Sequence, residues 1–332
     1  MNRRTKALRS LATTSAIAGL ITTTAVVDTA SASAAGPTAS RWTAAAAQQF
    51  WTNERMAEAK PFPDVSGMPS SPRTLSGRLT GGRLTSSPFG GLAMIGRMYM
   101  RRGSGSYFCT ASVIKSPHHN IVLTAGHCLD AKTRSSSMAF VPQWTAANPR
   151  PHGIFPVRTD SANRSRIWID QRYYDRGHIK GAPWDVAFVQ VDARDDGQQV
   201  QDVVGGNTLA ARRGYAFARV RLVGYPGADR QPLTCTNSTT RFTPTDHTPG
   251  SYLRIACNDY RPGTSGSPFL ANFNTRTGTG EVVGSIGGWK TGGPTADVSY
   301  SPNFGPDVQH LYDAAVAGSP PARPRTLPGA PH

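Results

Sequence analysis

The sequence holds only four cysteines, and no two of them form a C-x-x-C pair, so the spacing of a zinc site is missing. Charged residues make up only 17% of the chain, fewer than the solvated faces of a helical bundle require. Acidic residues are the scarcer sign, 20 Asp and Glu against 36 Lys and Arg, and the formal net charge is +16. That excess raises nucleic acid as a partner, yet the basic residues are scattered: Arg3 and Arg4 lie in the leader, Arg101 and Arg102 in the body, Arg323 and Arg325 near the end. No RRM-like or zinc-finger pattern accompanies them, so nucleic acid is not an expected partner and the charge reads as solubility or surface attachment. Past residue 34 no apolar run is long enough to cross a bilayer, and there is no internal repeat.

What is plentiful is glycine (34) and proline (26), which favours turn-rich β structure. Residues 1–34 read as a signal peptide. Arg3, Arg4, Lys6 and Arg9 form a positive start, Leu11 to Val27 is small and apolar, and Ala32-Ser33-Ala34 supplies an A-x-A cleavage site. The competing reading, an N-terminal membrane anchor, is weakened by the threonines in the apolar stretch and by Asp28 after it. The expected location is extracellular, with no membrane contact after cleavage. In an oxidising compartment Cys109, Cys128, Cys235 and Cys257 form two disulfides. Three pairings are possible, and proximity in sequence favours Cys109–Cys128 and Cys235–Cys257, each closing a loop of about 20 residues worth roughly 3 kcal/mol.

Residues 35–87 are rich in Ala, Pro, Ser, Thr and Gly, with one helical patch from Thr43 to Lys60 ended by Pro61 and Pro63. The segment is expected to be a propeptide or linker outside the core. From Leu92 onward short apolar runs alternate with turn residues: Leu92–Met100, Tyr107–Ile114, Ile121–Leu123, Asp185–Val191, Phe217–Val223, Tyr252–Ala256 and Val282–Ile286. That spacing predicts an all-β barrel or sandwich domain over residues 88–317. Val308, Leu311, Tyr312 and Ala315 recur at helical spacing, so a C-terminal helix should pack on it, and residues 318–332 read as a disordered tail.

Three short motifs carry chemistry. Thr124-Ala125-Gly126-His127-Cys128 follows an apolar run, Pro183-Trp184-Asp185-Val186 puts one carboxylate at the head of another, and Gly263-Thr264-Ser265-Gly266-Ser267-Pro268 sets a serine between glycines. Taken singly each is bland: a lone His is usually a turn or core residue, as His118 and His119 read, and an Asp before a strand is usually a cap, as Asp170 and Asp175 read. Their order, His then Asp then Ser, is that of one solution to nucleophilic acyl transfer. The nucleophile-elbow alternative wants glycine two residues after the serine, where residue 267 is serine, and its Asp and His downstream.

These motifs resemble the three signatures of the chymotrypsin/trypsin-like serine proteases, and Ser265-Gly266-Ser267-Pro268 is closer to the secreted bacterial branch that includes the glutamyl endopeptidases. The similarity runs from about Leu92 to Val316. It implies a double six-stranded antiparallel β-barrel with a cleft between barrels, and a secreted endopeptidase acting as a monomer on polypeptides without a metal or organic cofactor. His127 would be the base, Asp185 would orient it, Ser265 would attack, and the N–H groups of Gly263 and Ser265 would form the oxyanion hole. The pocket residues it suggests are Asp259, six positions before Ser265, with Ser285, Gly287 and Ser299; Gly287 and Gly288 would let an extended peptide lie against Ser285. Thr264 departs from the animal digestive enzymes, which carry aspartate there to receive a new N-terminus. The alternative function is a catalytically inactive domain of this fold that binds a cell-surface polymer through its basic face.

Overall fold

Where apolar runs are short and bracketed by Gly, Pro and Asn, the chain forms strands, and β structure dominates. The computed structural model describes residues 42–63, 85–129, 137–211, 214–227 and 229–320. The chain divides into Met1–Ala39 and Ser40–His332, and every described residue belongs to the second unit. The expected leader, residues 1–34, and residues 321–332 of the expected tail lie outside the described residues.

Helices α1 (Ala44–Phe50) and α2 (Asn53–Glu58) lead into β1 (Lys60–Pro61), and β2 (Ser86–Pro88) follows. The first barrel sheet comprises β3 (Ile95–Arg102), β4 (Gly105–Ile114), β5 (Ile121–Thr124), β6 (Ala139–Pro142), β7 (Phe155–Pro156), β8 (Ile167–Ile169) and β9 (Ala187–Gln190). Its order is β7-β6-β3-β4-β5-β9-β8, with β1 added in parallel to β4. Helix α3 (Gln171–Lys180), capped by the Asp170 side chain, stands between β8 and β9 in sequence, and α4 (Val200–Val204) follows β9 with Val200 and Val204 in the core. The second half builds β10 (Thr208–Leu209), β11 (Val220–Gly224), β12 (Leu233–Asn237), β13 (Thr239–Phe242), β14 (Tyr252–Ala256), β15 (Pro268–Asn274), β16 (Thr279–Ser285) and β17 (Val298–Pro302). These form a six-stranded sheet, β10-β16-β15-β11-β12-β2, and a three-stranded one, β13-β14-β17. Helix α5 (Pro306–Ala317) is the last element, its Val308 and Ala315 in the core.

The fold is thus a trypsin-like double β-barrel with a C-terminal helix, although the first sheet counts eight strands rather than six. One of the two extra strands, β1, belongs to a segment expected to stay outside the core. Trp42, Trp51, Met56 and Phe62 are instead buried in the core of the first barrel. Thr43 and Thr52 cap the two helices, and the indole N–H groups of Trp42 and Trp51 donate to the carbonyls of Met138 and Ser137, each at 2.8 Å. A few large aromatics thus dock the segment, which mean composition does not reveal. Residues 85 and 86 are also built in, donating to the Asn258 side chain. The tail likewise starts later than residue 318, since Arg166 donates to the Gly318 carbonyl and Trp168 to that of Ser319. Trp51→Ala should destabilise the protein by about 3–5 kcal/mol, because it removes a fully buried indole that lies 5.3 Å from the Tyr99 ring. A urea midpoint unchanged by that substitution would show that the segment is not part of the folded unit.

Both pairings favoured by proximity are present: Cys109–Cys128 ties β4 to the turn after β5, and Cys235–Cys257 ties β12 to the end of β14. Among the described residues no helix is long and apolar enough to cross a membrane, and no cluster of His, Cys, Asp or Glu could hold a metal ion.

Candidate active site

Every residue of β5 is buried, and the strand runs through Ala125 and Gly126 into a 3-10 turn, His127–Leu129. Cys128 in that turn is fixed to β4 by the disulfide, so the imidazole of His127 has little room to wander. Gly126 allows a close approach: a Cβ on it would stand 3.1 Å from Oδ1 of Asp185. That close approach lets Asp185 reach both the backbone and the ring of His127.

Asp185 follows a 3-10 turn, Ala182–Trp184, and is 1% exposed. A buried carboxylate is costly unless it is bonded on both oxygens. Oδ1 accepts the His127 backbone N–H at 2.7 Å. Oδ2 lies 2.8 Å from His127 Nδ1 and accepts the N–H of Gly288 at 2.7 Å. Burial pushes the Asp185 carboxyl up, but the adjoining His127 and the bonds from His127 and Gly288 outweigh it and hold the group below its ordinary value. The carboxylate therefore stays charged and fixes Nδ1 of His127 as the protonated ring nitrogen, leaving Nε2 as the acceptor.

The serine turn is held by its carbonyls. Thr110 N–H donates to the carbonyls of Gly263 and Ser265 at 3.0 and 2.9 Å, and the Thr110 hydroxyl adds a bond to Gly263 at 3.0 Å. Gly263 takes a φ of 100° and Gly266 one of 85°, both in the region that favours glycine. A Cβ on Gly266 would come within 2.2 Å of the Thr110 carbonyl and 2.3 Å of Thr124 Oγ1, so the turn lies directly against the end of β5, just before His127. With the carbonyls turned onto Thr110, the N–H groups of Gly263 and Ser265 donate no hydrogen bond among the described residues. Ser265 itself is half-buried, whereas Thr264 and Ser267 are buried. Thr264 donates its hydroxyl to the Arg261 carbonyl at 2.8 Å, so this position closes the turn with a neutral bond.

The structure joins His127 to Asp185 and lays the Gly263–Gly266 turn against the strand end that leads into His127. Of the expected pocket residues, Ser285 and Gly287 adjoin the strand that holds Ser299, through bonds to Ser301 Oγ and the Tyr300 carbonyl. Asp259 has a φ of 70°, and its Oδ1 accepts from Arg261 Nε at 2.8 Å, so its charge is already matched. Ser285 and Ser299 are buried within β16 and β17. Gly287 packs against Asp185, where a Cβ would stand 3.0 Å from Oδ2. Strand addition at Ser285 to Gly288 is also unavailable through their N–H groups. These donate in turn to Ser301 Oγ, the Ser267 carbonyl, the Tyr300 carbonyl and Asp185.

Sequence reasoning missed the residues that hold the site: Thr110, the Gly288 N–H and Arg261. It also missed an aromatic group of Phe242, Trp289 and Tyr300, with ring centroids 4.6 to 4.7 Å apart. Lys290 and Thr291 follow at φ values of 47° and 54°, sparsely populated for such side chains. The run Gly287-Gly288-Trp289, after the hairpin that follows the third motif, was the available signal.

Comparison with known proteins agrees with this architecture. Protease Anisep from Arthrobacter nicotinovorans is 22% identical, with a TM-score of 0.57 over 70% of this chain and 99% of that one. The thermostable serine protease AL20 from an extremophilic microorganism is 22% identical, with a TM-score of 0.51 over 68% and 97%. A Glu endopeptidase is 18% identical, with a TM-score of 0.52 over 71% and 98%. These likenesses concern the fold. No curated protein gives a significant sequence match. The profile of the trypsin-like peptidase domain matches residues 109–284, which is more than half of the 332 residues and includes all three motifs. The chain belongs to the trypsin-like peptidase domain family.

Proposed function

We propose that this chain is a secreted serine endopeptidase that cleaves polypeptides through an acyl-enzyme on Ser265. The observation that carries the reading is the buried His127–Asp185 pair, with both carboxylate oxygens bonded, together with a half-buried serine in a turn packed against the end of β5, whose Gly263 and Ser265 N–H groups donate no hydrogen bond among the described residues. A serine hydroxyl is a poor nucleophile at neutral pH and needs a base. With Nδ1 committed to Asp185, Nε2 of His127 takes the Ser265 proton as Oγ attacks the scissile carbonyl. The N–H groups of Gly263 and Ser265 receive the negative charge that develops on the carbonyl oxygen. Collapse expels the amine, which takes the proton from His127, and water repeats the sequence to free Ser265.

The two disulfides suit an oxidising compartment, and residues 1–34 act as the export signal. The enzyme works as a monomer. Residues 35–87 support folding of the catalytic domain, and Trp42 to Phe62 remain with the mature enzyme because they fill its core. Purified protein should release peptides from fluorescent casein and lose that activity on treatment with a fluorophosphonate. Casein hydrolysis that survives the reagent, or none from folded protein, contradicts the proposal.

A further inference from the structure

The proposed chemistry needs the Gly263 N–H aimed at the substrate oxygen, and its direction is set from outside the turn. Across a planar trans peptide the C=O and the following N–H point opposite ways, so whatever holds the Pro262 carbonyl also aims the Gly263 N–H. That carbonyl accepts the Gly227 N–H at 2.7 Å. Arg261, one residue earlier, forks between two carboxylates: a terminal nitrogen lies 2.6 Å from Asp229 Oδ2, and Nε lies 2.8 Å from Asp259 Oδ1.

Asp229 is anchored in turn. Its carbonyl accepts from a terminal nitrogen of Arg97 at 3.0 Å. The Arg97 side chain is 2% exposed, and its guanidinium lies 3.9 Å from the centroid of Phe108 and 3.5 Å from that of Trp144. A guanidinium held between two rings is a rigid post. Phe108 also packs on the far side of Gly263, where a Cβ would stand 2.9 Å from its ring. A continuous path of contacts therefore runs from buried Arg97 through Asp229 and Arg261 to the Pro262–Gly263 peptide.

We propose that Arg261 and Asp229 are positioning residues, whose ion pair holds the Pro262–Gly263 peptide in the orientation that presents the Gly263 N–H to the reacting carbonyl oxygen. This rests on the acyl-enzyme reading above. Losing the pair loosens the Pro226–Asp229 turn that carries Gly227, so the Gly227 bond to the Pro262 carbonyl, and with it the direction of the Gly263 N–H, is held only part of the time. Losing an oxyanion donor outright lowers kcat by about 10²–10³. A donor held only part of the time should therefore lower it less.

The test uses the full chain with fluorescent casein, comparing Arg261→Gln, Asp229→Asn and Arg261→Lys with wild type and with Ser265→Ala. Arg261→Gln and Asp229→Asn should each lower kcat about 10- to 100-fold while KM stays within about twofold. Arg261→Lys keeps a cation for Asp229 and should recover most of the loss. A merely structural role would lower the yield of folded protein without this split or this rescue. Unchanged kcat in Asp229→Asn, or a rise in KM alone, overturns the proposal; if Arg261→Gln does not fold, Asp229→Asn decides. If Ser265→Ala is inactive while both pair variants are fully active, only the positioning role fails. If Ser265→Ala itself retains activity, the acyl-enzyme reading fails.

Discussion

Ser265→Ala should lower kcat by about 10⁶, the loss seen when a triad nucleophile is removed. The expectation is this large because no neighbouring hydroxyl can substitute. Thr264 is buried and spends its hydroxyl on the Arg261 carbonyl. Ser267 is fully buried, and its Oγ faces Gly224, where a Cβ would come within 2.2 Å of it. Only Ser265 in this turn combines a hydroxyl with exposure. The variant should keep its stability, since a half-buried serine contributes little packing. Casein hydrolysis measured against a no-enzyme blank checks the outcome, and a loss smaller than about tenfold would mean that another group attacks.

Asp185→Asn should lower kcat by about 10⁴ with little change in fold. The carboxylate accepts from three donors, the His127 backbone, His127 Nδ1 and the Gly288 backbone. An asparagine of the same shape must present its NH₂ to one of them, either leaving a donor facing a donor or forcing the imidazole into the tautomer whose Nε2 carries the proton. In that tautomer His127 cannot accept from Ser265. The same substitution should alter acid stability. Because Asp185 is held below its ordinary value, the folded state binds fewer protons than the unfolded chain between the two values. Its contribution to stability is therefore full above about pH 4 and is lost as pH falls through the folded value. Wild type should lose urea stability over that acidic range more steeply than Asp185→Asn. Equal slopes would mean that Asp185 titrates alike in the folded and unfolded states.

Much of this molecule is legible without coordinates, and the reasons are local. Strands such as Ile95–Arg102 and Val220–Gly224 stand out because each holds a cluster of large apolar residues closed off by a turn residue. His127, Asp185 and Ser265 stand out because each sits in a short motif whose neighbours are local to it. Strand β12, Leu-Thr-Cys-Thr-Asn, is invisible because only its alternate residues face the core and those are few. The Trp42–Phe62 segment misleads because mean composition weighs its alanines and charges equally with two tryptophans that do most of the docking. The pocket is the least legible part. Asp259 is neutralised by Arg261, a partner two positions away, and whether a backbone N–H is free for substrate depends on strands distant in sequence.

The most direct test of the account is to treat the purified protein with a fluorophosphonate and map the adduct by mass spectrometry. One phosphonylated residue, Ser265, is expected, and no labelling when His127 is replaced by alanine. An unlabelled Ser265 in protein that still cleaves casein would contradict it.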